Sequence, residues 1–484
     1  MNRRRLSFAP GRFLLTLFAA AALTACGAAM GGAGANPPAP DAGSPAPSPS
    51  IASFTASSSR VFVGDRVQLT AVFTGSSASI EGLGAVESGQ PIDTPSLSSA
   101  RQFVLTVQGG GQEVQASLTV EVGYRDRIRQ LDDAPVARSG HLAAALPEGS
   151  ALLVGGYSSE SLNVPDSDTT ERFDPVTEKF SPGPALAFSA LDQSFTVAIP
   201  LRTGFLLAGG GINSGIPLQT RSQLLSQTFD PAQQAFSRAG DLQVDQSLAG
   251  DGAATLLGDG RVLFTGGDAT GSRNTELFDP DTRRWTAGPE MVVGRRAQTA
   301  TLLRDGRVLI AGGIVCCSGG GFTTAAELYD PSTGTFRPTG SLGSARGFHR
   351  ATLLRDGRVL VTGGFGKRDA SGVQEPLGTE IYDPSTEQFS PAGALQVERV
   401  FHSQVLLTDG RVLVVGGGPV DASVDVGIPV TELFDPRTNQ WTTGPTLDPA
   451  WFGVTATLLA NGKVLLFGGE AQDGSPQPTA LLYE

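Results

Sequence analysis

The stretch Arg346-Gly347-Phe348-His349-Arg350-Ala351-Thr352-Leu353-Leu354-Arg355-Asp356-Gly357-Arg358-Val359-Leu360-Val361-Thr362-Gly363-Gly364 decides the fold. Two apolar runs flank Asp356-Gly357. Asp-Gly between such runs reads as a tight hairpin turn, because both central turn positions need φ > 0. The second run ends on a diglycine. A polar stretch follows, and then Thr379-Glu380-Ile381-Tyr382-Asp383-Pro384 leads through another turn to Phe389. Asp first and Pro second suit a type I turn. The unit is therefore two hairpins, which predicts a four-stranded sheet.

The same unit recurs along the chain. Diglycines end a short apolar run at Gly155-Gly156, Gly209-Gly210, Gly266-Gly267, Gly312-Gly313, Gly363-Gly364, Gly416-Gly417 and Gly468-Gly469, at steps of 54, 57, 46, 51, 53 and 52 residues. Asp259-Gly260, Asp305-Gly306, Asp409-Gly410 and Asn461-Gly462 fill the first turn elsewhere. An aromatic-Asp-Pro step recurs at Phe173, Phe229, Phe278, Tyr329, Tyr382 and Phe434, followed by Phe180, Phe236, Trp285, Phe336, Phe389 and Trp441. Self-similarity near about 50 residues marks a propeller built from four-stranded blades. Seven blades are expected. Six is the alternative count, because the second repeat is degenerate and carries Thr203-Gly204 in the turn slot. Near the axis the backbones crowd, and glycine permits close approach.

The seventh repeat stops at Ala480-Leu481-Leu482-Tyr483-Glu484, where the others continue to a fourth strand. Phe336 and Phe389 each precede a histidine, His349 and His402, by 13 residues, and Ile128 precedes His141 by the same interval. Residues 127–131 therefore sit in the register of a fourth strand that lacks its own third. They are expected to complete the last blade, since a propeller left open exposes sheet edges.

These units resemble the kelch repeat, and so the galactose-oxidase-like propellers, over residues 124–484. The resemblance implies a seven-bladed kelch-type β-propeller. It also raises a copper oxidase site, which in that family needs two His and two Tyr, one Tyr crosslinked to a Cys. Here the three histidines, His141, His349 and His402, share one repeat slot, each three residues after Arg138, Arg346 or Arg399. Tyr329, Tyr382 and Tyr483 share the packing slot. No cofactor and no metal is expected on that pattern.

The front of the chain divides into three pieces. Residues 1–25 read as a secretion signal: Arg3, Arg4, Arg5 and Arg12 precede an apolar run, Phe13 to Ala22, that is shorter than the ~20 residues of a membrane span. Leu23-Thr24-Ala25-Cys26-Gly27 resembles the bacterial lipobox, which implies lipid attachment at Cys26. Gly27, rather than Asp, implies placement at the outer membrane or cell surface. Residues 26–50, rich in Gly, Ala, Pro and Ser, read as a disordered tether. Residues 51–123 hold short alternating strands such as Val61–Thr70 and Gln102–Val107. They look like a small immunoglobulin-like β-sandwich without its disulfide. The chain is thus all-β.

Charge narrows the function. Basic residues number 35 against 47 acidic; without the signal's four arginines the balance is 31 against 47, or −16. That argues against a nucleic-acid binder, which needs clustered positive charge. Cys316-Cys317 lie together after the fourth diglycine; a vicinal disulfide, two free thiols and a metal site are the alternatives. No zinc signature, phosphate loop or Gly-x-Ser-x-Gly elbow is present.

Loops between the second and third strands vary, and by up-and-down topology they share a face with the connections between blades. Stereotyped turns occupy the other face. Recognition favours loops on a rigid scaffold. The expected role is a non-catalytic binding platform for a protein or glycan at the cell envelope, a monomer held to the membrane by its lipid alone. Arg138, Arg295, Arg346 and Arg399, with His141, His349 and His402, are the candidate ligand contacts; blade staples are their alternative role. The alternative function is an extracellular carbohydrate-active enzyme, hydrolase or oxidase, with its site in the channel. The lipobox reading predicts that Cys26→Ser abolishes metabolic lipid labelling and releases the protein from membranes; labelling that persists in this variant contradicts it.

Overall fold

The computed structural model describes residues 48–133, 135–156, 169–187, 197–208, 226–243, 252–267, 273–315, 321–368, 374–375, 377–420, 427–471 and 475–484. The segment around Cys26 read as a lipobox, most of residues 26–50 read as a tether, Gly209-Gly210, Cys316 and Cys317 lie outside them, as does much of the variable loops. All regular elements among the described residues are strands.

Seven four-stranded antiparallel sheets form the propeller. Their first strands are Leu142–Ala145, Val197–Pro200, Ala253–Leu256, Thr299–Leu302, Arg350–Leu353, Ser403–Leu406 and Thr455–Leu458, here blades 1 to 7. Each first strand touches the next around a closed ring, so these strands wall the central channel. The second strands are buried at every position, as in Val359–Thr362 and Val412–Val415. A strand packed by blades on both faces reads as a continuous apolar run rather than an alternation, which is what these sequences show.

The aromatic slots explain how each blade is held at its outer edge. Third-strand and fourth-strand aromatics pair across the sheet: Phe173 with Phe180, Phe278 with Trp285, Tyr329 with Phe336, and Phe434 with Trp441, at centroid distances of 4.8–5.1 Å. Such pairs add about 0.5–1.5 kcal/mol beyond burial. The Asp after each third-strand aromatic caps its turn by accepting an N–H two residues on, as Asp330 does from Ser332 and Asp383 from Ser385, both at 2.8 Å.

The seventh sheet is completed from the other end of the chain. Ile128–Gln130 pairs antiparallel with Ala480–Tyr483, matching Ile128 to Tyr483 and Gln130 to Leu481. Backbone bonds extend the pairing on both sides, from Leu131 N–H to Ala480 O and from Glu484 N–H to Arg127 O. The Glu484 carboxylate accepts from Arg127 and Lys463, and the residue is only 3% exposed.

Residues 50–123 form two sheets. Ser50–Ala56, Gln68–Thr74 and Pro91–Asp93 make the smaller; Arg60–Phe62, Gln112–Gly123, Arg101–Gly109, Ser77–Ile80 and Gly84–Ala85 make the larger. Leu69, Phe103, Leu105, Val107 and Val120 fill the core between them. This sandwich seats on the turn face of the propeller. The Tyr124 hydroxyl donates to Gly462 O and accepts from Thr408 N–H, so it touches the first turns of blades 7 and 6. Val63 joins the same apolar cluster as Leu407, Trp451 and Tyr483. The variable-loop face is left on the opposite side.

Deleting residues 1–134 should therefore lower the melting temperature far more than deleting 1–122. Only the longer deletion strips the seventh sheet of its outer strand and uncovers large side chains worth about 1.5–3 kcal/mol each. Equal melting temperatures would show that the strand closes nothing.

Candidate functional site at the channel mouth

The diglycines set the spacing between blades. Both glycines hold positive φ, near +60° for the first and +80° to +106° for the second in the described pairs. A Cβ on the first would collide with the next blade: at Gly363 it would lie 2.6 Å from His402 Cε1, and at Gly468 2.4 Å from His141 Cε1. A Cβ on the second would collide with its own first strand, as at Gly364, 3.0 Å from His349 Cβ. The second glycine also donates its N–H to the next blade, Gly313 to Arg346 O at 2.7 Å and Gly364 to Arg399 O at 3.0 Å.

The repeated arginines strap blades 1, 4, 5 and 6. Arg399 donates to Gly416 O and Val430 O, and its terminal nitrogen meets Glu432 at 2.6 Å. Arg295 and Arg346 repeat this with Glu327 and Glu380, both at 2.7 Å, and Arg138 pairs with Glu171 at 3.1 Å. The guanidinium thus reaches from before the first strand, past the second, to a carboxylate on the third. The carboxylate also accepts backbone N–H groups of the incoming connection, as Glu432 does from Gln396 at 2.7 Å. Burial pushes the Arg295, Arg346 and Arg399 pKa values down, and the paired Glu opposes that shift. All four arginines are at most 2% exposed.

The histidines are equally enclosed. His141 Nε2 meets Thr455 Oγ1 at 2.9 Å, His349 meets Thr299 at 3.1 Å, and His402 meets Thr362 at 2.9 Å. Burial first, and the neighbouring arginines second, push His141 and His349 down to about 3 and His402 well below its ordinary range. They are neutral rings packed on glycine. All seven of these residues are buried, the arginines in the straps and each histidine Nε2 on a threonine, which is the arrangement a structural role requires.

What the channel mouth does present is aromatic. Phe348, Phe365, Phe401 and Phe452 form a connected cluster, with centroid separations of 6.0 Å for Phe348–Phe365 and 5.4 Å for both Phe348–Phe401 and Phe401–Phe452. Phe401 is 36% exposed and the other three are half-buried. Phe348 and Phe401 hold φ of +56° and +53°. A left-handed backbone is costly for a bulky residue, of order 1–3 kcal/mol, and such strain concentrates at functional sites. The same repeat slot holds Gly140 in blade 1 and Gly453 in blade 7, the residue type that tolerates it. The cluster lies on the variable-loop face, where Arg346-Gly347 pairs with Phe365-Gly366 and Arg399-Val400 with Gly418-Pro419.

Below this rim sits Arg350. It opens the first strand of blade 5, and its Nε donates to His402 O of blade 6 at 2.9 Å. It is solvent-exposed, yet enclosure by the surrounding strands lowers its pKa with no acidic group contributing. Both observations fit a side chain inside a channel open to solvent. Sequence reading passed over the rim and Arg350. A signal was present: Phe348, Phe401 and Arg350 each break the residue type of their repeat slot.

The described residues do not assemble a copper site of the galactose-oxidase kind. The three histidines lie in blades 1, 5 and 6 with Nε2 committed to threonines. Tyr329, Tyr382 and Tyr483 are buried packing residues, and desolvation raises their pKa values. Among the described residues no three His, Cys, Asp or Glu converge to hold a metal ion.

The fold is that of the kelch and galactose-oxidase-like propellers. Galactose oxidase of Gibberella zeae is 26% identical over 253 residues, which is 47% of this chain and 36% of that protein. Kelch-like protein 36 of Rattus norvegicus is 26% identical over 270 residues, 53% of this chain and 41% of that protein. The alignments therefore span well under half of these relatives. A solved fungal alcohol oxidase of the AA5 family, in complex with copper, superposes with a TM-score of 0.55 at 16% identity, covering 74% of this chain and 75% of that one. No family model matches the chain.

Blade 7 carries out the strap experiment naturally. Trp451 stands in the arginine slot and Leu481 in the glutamate slot; both are buried in one apolar cluster. The pair is replaced as a unit, which avoids an uncompensated buried charge. Glu432→Leu alone should cost about 3–5 kcal/mol in thermal or denaturant unfolding, because Arg399 loses its partner. The double variant Arg399→Trp with Glu432→Leu should recover most of that loss.

Proposed function

We propose that this chain is an exported, lipid-anchored protein of the bacterial cell envelope that works as a non-catalytic binding platform for a protein or glycan. Cys26 carries the anchor, residues 51–123 act as an immunoglobulin-like spacer, and the variable-loop face of the propeller does the binding. The observation that carries the reading is the aromatic rim: four phenylalanines gathered at the channel mouth, two of them, Phe348 and Phe401, in a left-handed slot that blades 1, 4 and 7 fill with Gly140, Ala297 and Gly453. Apolar rings around a few placed polar groups are the usual make-up of a ligand site. Seating of the sandwich on the opposite, turn-bearing face supports the same choice of face. The kelch relatives and the oxidases share this scaffold, and a scaffold hosts many functions. The histidines and the tyrosines Tyr329, Tyr382 and Tyr483 are used here for packing, so the reading does not rest on oxidation.

Phe401→Gly tests the rim cleanly. It removes a ring while relieving the backbone at φ +53°, so stability should hold or rise. Capture of the envelope ligand, measured by pull-down from envelope extracts or on a glycan array, should fall at least about tenfold. Arg304→Ala, on the turn face, should leave capture unchanged. Unaltered binding by Phe401→Gly, or turnover of an envelope glycan by the purified chain, would overturn the reading.

A further inference from the structure

The seven first strands that wall the channel contain a single charged residue, Arg350; the rest are apolar, small, hydroxyl-bearing or amide residues. At its register position the other blades place Leu142, Val197, Ala253, Thr299, Ser403 and Thr455. The seam bond there needs only a short side chain: Ser403 Oγ reaches Val454 O at 2.7 Å and Thr299 reaches His349. Arg350 makes the equivalent bond through Nε alone. Its two terminal nitrogens have no acceptor among the described residues, unlike the buried arginines of the straps, each of which has a carboxylate. In a chain of net charge −12, a cation left without a partner inside the channel is the exception that calls for a function.

Arg350 lies two residues after Phe348 and bonds the residue that follows Phe401. The guanidinium is therefore set just beneath the Phe348–Phe401 pair. We propose that Arg350 and this pair form one subsite for an acidic sugar: the carboxylate of a uronic acid residue is received by the free edge of the guanidinium, and the sugar's apolar face packs on the phenylalanine rings. This deepens the binding reading above and rests on it. A guanidinium fork matches a carboxylate bidentately, and its charge-assisted bonds are about twice as strong as neutral ones. The described rim, with three half-buried rings and one 36% exposed, offers far less than the roughly 800 Å² that a stable protein interface takes from each partner. A sugar residue is of the right size; an acidic protein surface is not.

The test titrates the full chain with oligogalacturonate and with the same oligomer methyl-esterified, by calorimetry at low and high salt. The acid form should bind at least about tenfold more tightly than the ester at low salt, and the gap should shrink as salt screens the charge. Arg350→Gln should abolish the gap while leaving the weak binding of the ester. Phe401→Gly should weaken both forms and leave the gap. If Arg350→Gln melts early, Arg350→Lys carries the test, since it keeps the charge, loses the fork and should retain part of the gap. A wild-type protein that does not distinguish acid from ester, or a gap that survives Arg350→Gln, overturns the subsite. Polyglutamate that competes as well as the oligouronide overturns the sugar assignment. No uronide binding, alongside Phe401-dependent capture of another ligand, sinks this subsite and leaves the rim reading standing; loss of any Phe401 dependence sinks the rim reading itself.

Discussion

The buried arginine–glutamate strap is the interaction on which the order of blades 1, 4, 5 and 6 at the channel mouth depends. A blade presents its first strand to the channel and its fourth to the outside, and its connections arrive on the variable face. The strap ties three of these parts together with one guanidinium: the second-strand carbonyl at the diglycine, the carbonyl before the third strand, and the third-strand carboxylate. Because the carboxylate also takes N–H groups from the incoming connection, loops above the strap leave from a fixed base. A pair at essentially zero exposure, such as Arg399 with Glu432, is not chosen for raw stability, since desolvation offsets most of the attraction. Blade 7 does without it by burying Trp451 against an apolar cluster. What the strap supplies is hydrogen-bonded order at the top of a sheet whose interior is wholly apolar.

Straps and diglycines then determine what the channel mouth can display. With each histidine packed on a glycine and each strap arginine turned inward, the polar residues of the repeat are withdrawn from the surface. The positions left free are the one between arginine and histidine that takes left-handed backbone, the residue after each diglycine, and the first residue of the inner strand. Blades 5 and 6 fill these with Phe348, Phe365, Phe401 and Arg350, and blade 7 adds Phe452 from the position directly after its Trp451. Specialisation of three adjacent blades in a ring of seven gives the mouth one distinct side.

Closure and docking act on the opposite face. The outer strand of blade 7 comes from residues 128–130, and Tyr124, four residues earlier, packs on Tyr483 at 5.3 Å while bonding the turns of blades 6 and 7. The segment that finishes the ring also seats the sandwich. The Arg125–Asp65 ion pair at 2.9 Å and burial of Val63 add to the contact. The sandwich therefore contacts the turn face rather than the described loop face.

Much of the architecture was legible in the chain because its determinants are local. Asp-Gly turns, diglycines, aromatic-Asp-Pro steps and the apolar runs between them act within a single hairpin, and their recurrence counts the blades. The arginine and histidine slots were visible for the same reason, but their role was not. Arg399 and Glu432 are 33 residues apart, and Thr362 and His402 are 40 apart and in different blades. Only the stacking of sheets brings them together, and only burial turns a ligand-like Arg-x-x-His into a strap and a space-filling ring. The rim was hidden in the same way: Phe348, Phe401 and Phe452 are about one repeat apart in sequence, and they become neighbours because the propeller sets the same connection of successive blades side by side. Sequence by itself determined the repeat and hence the fold; tertiary structure decided which of the repeated residues are enclosed and which few remain free to meet a ligand.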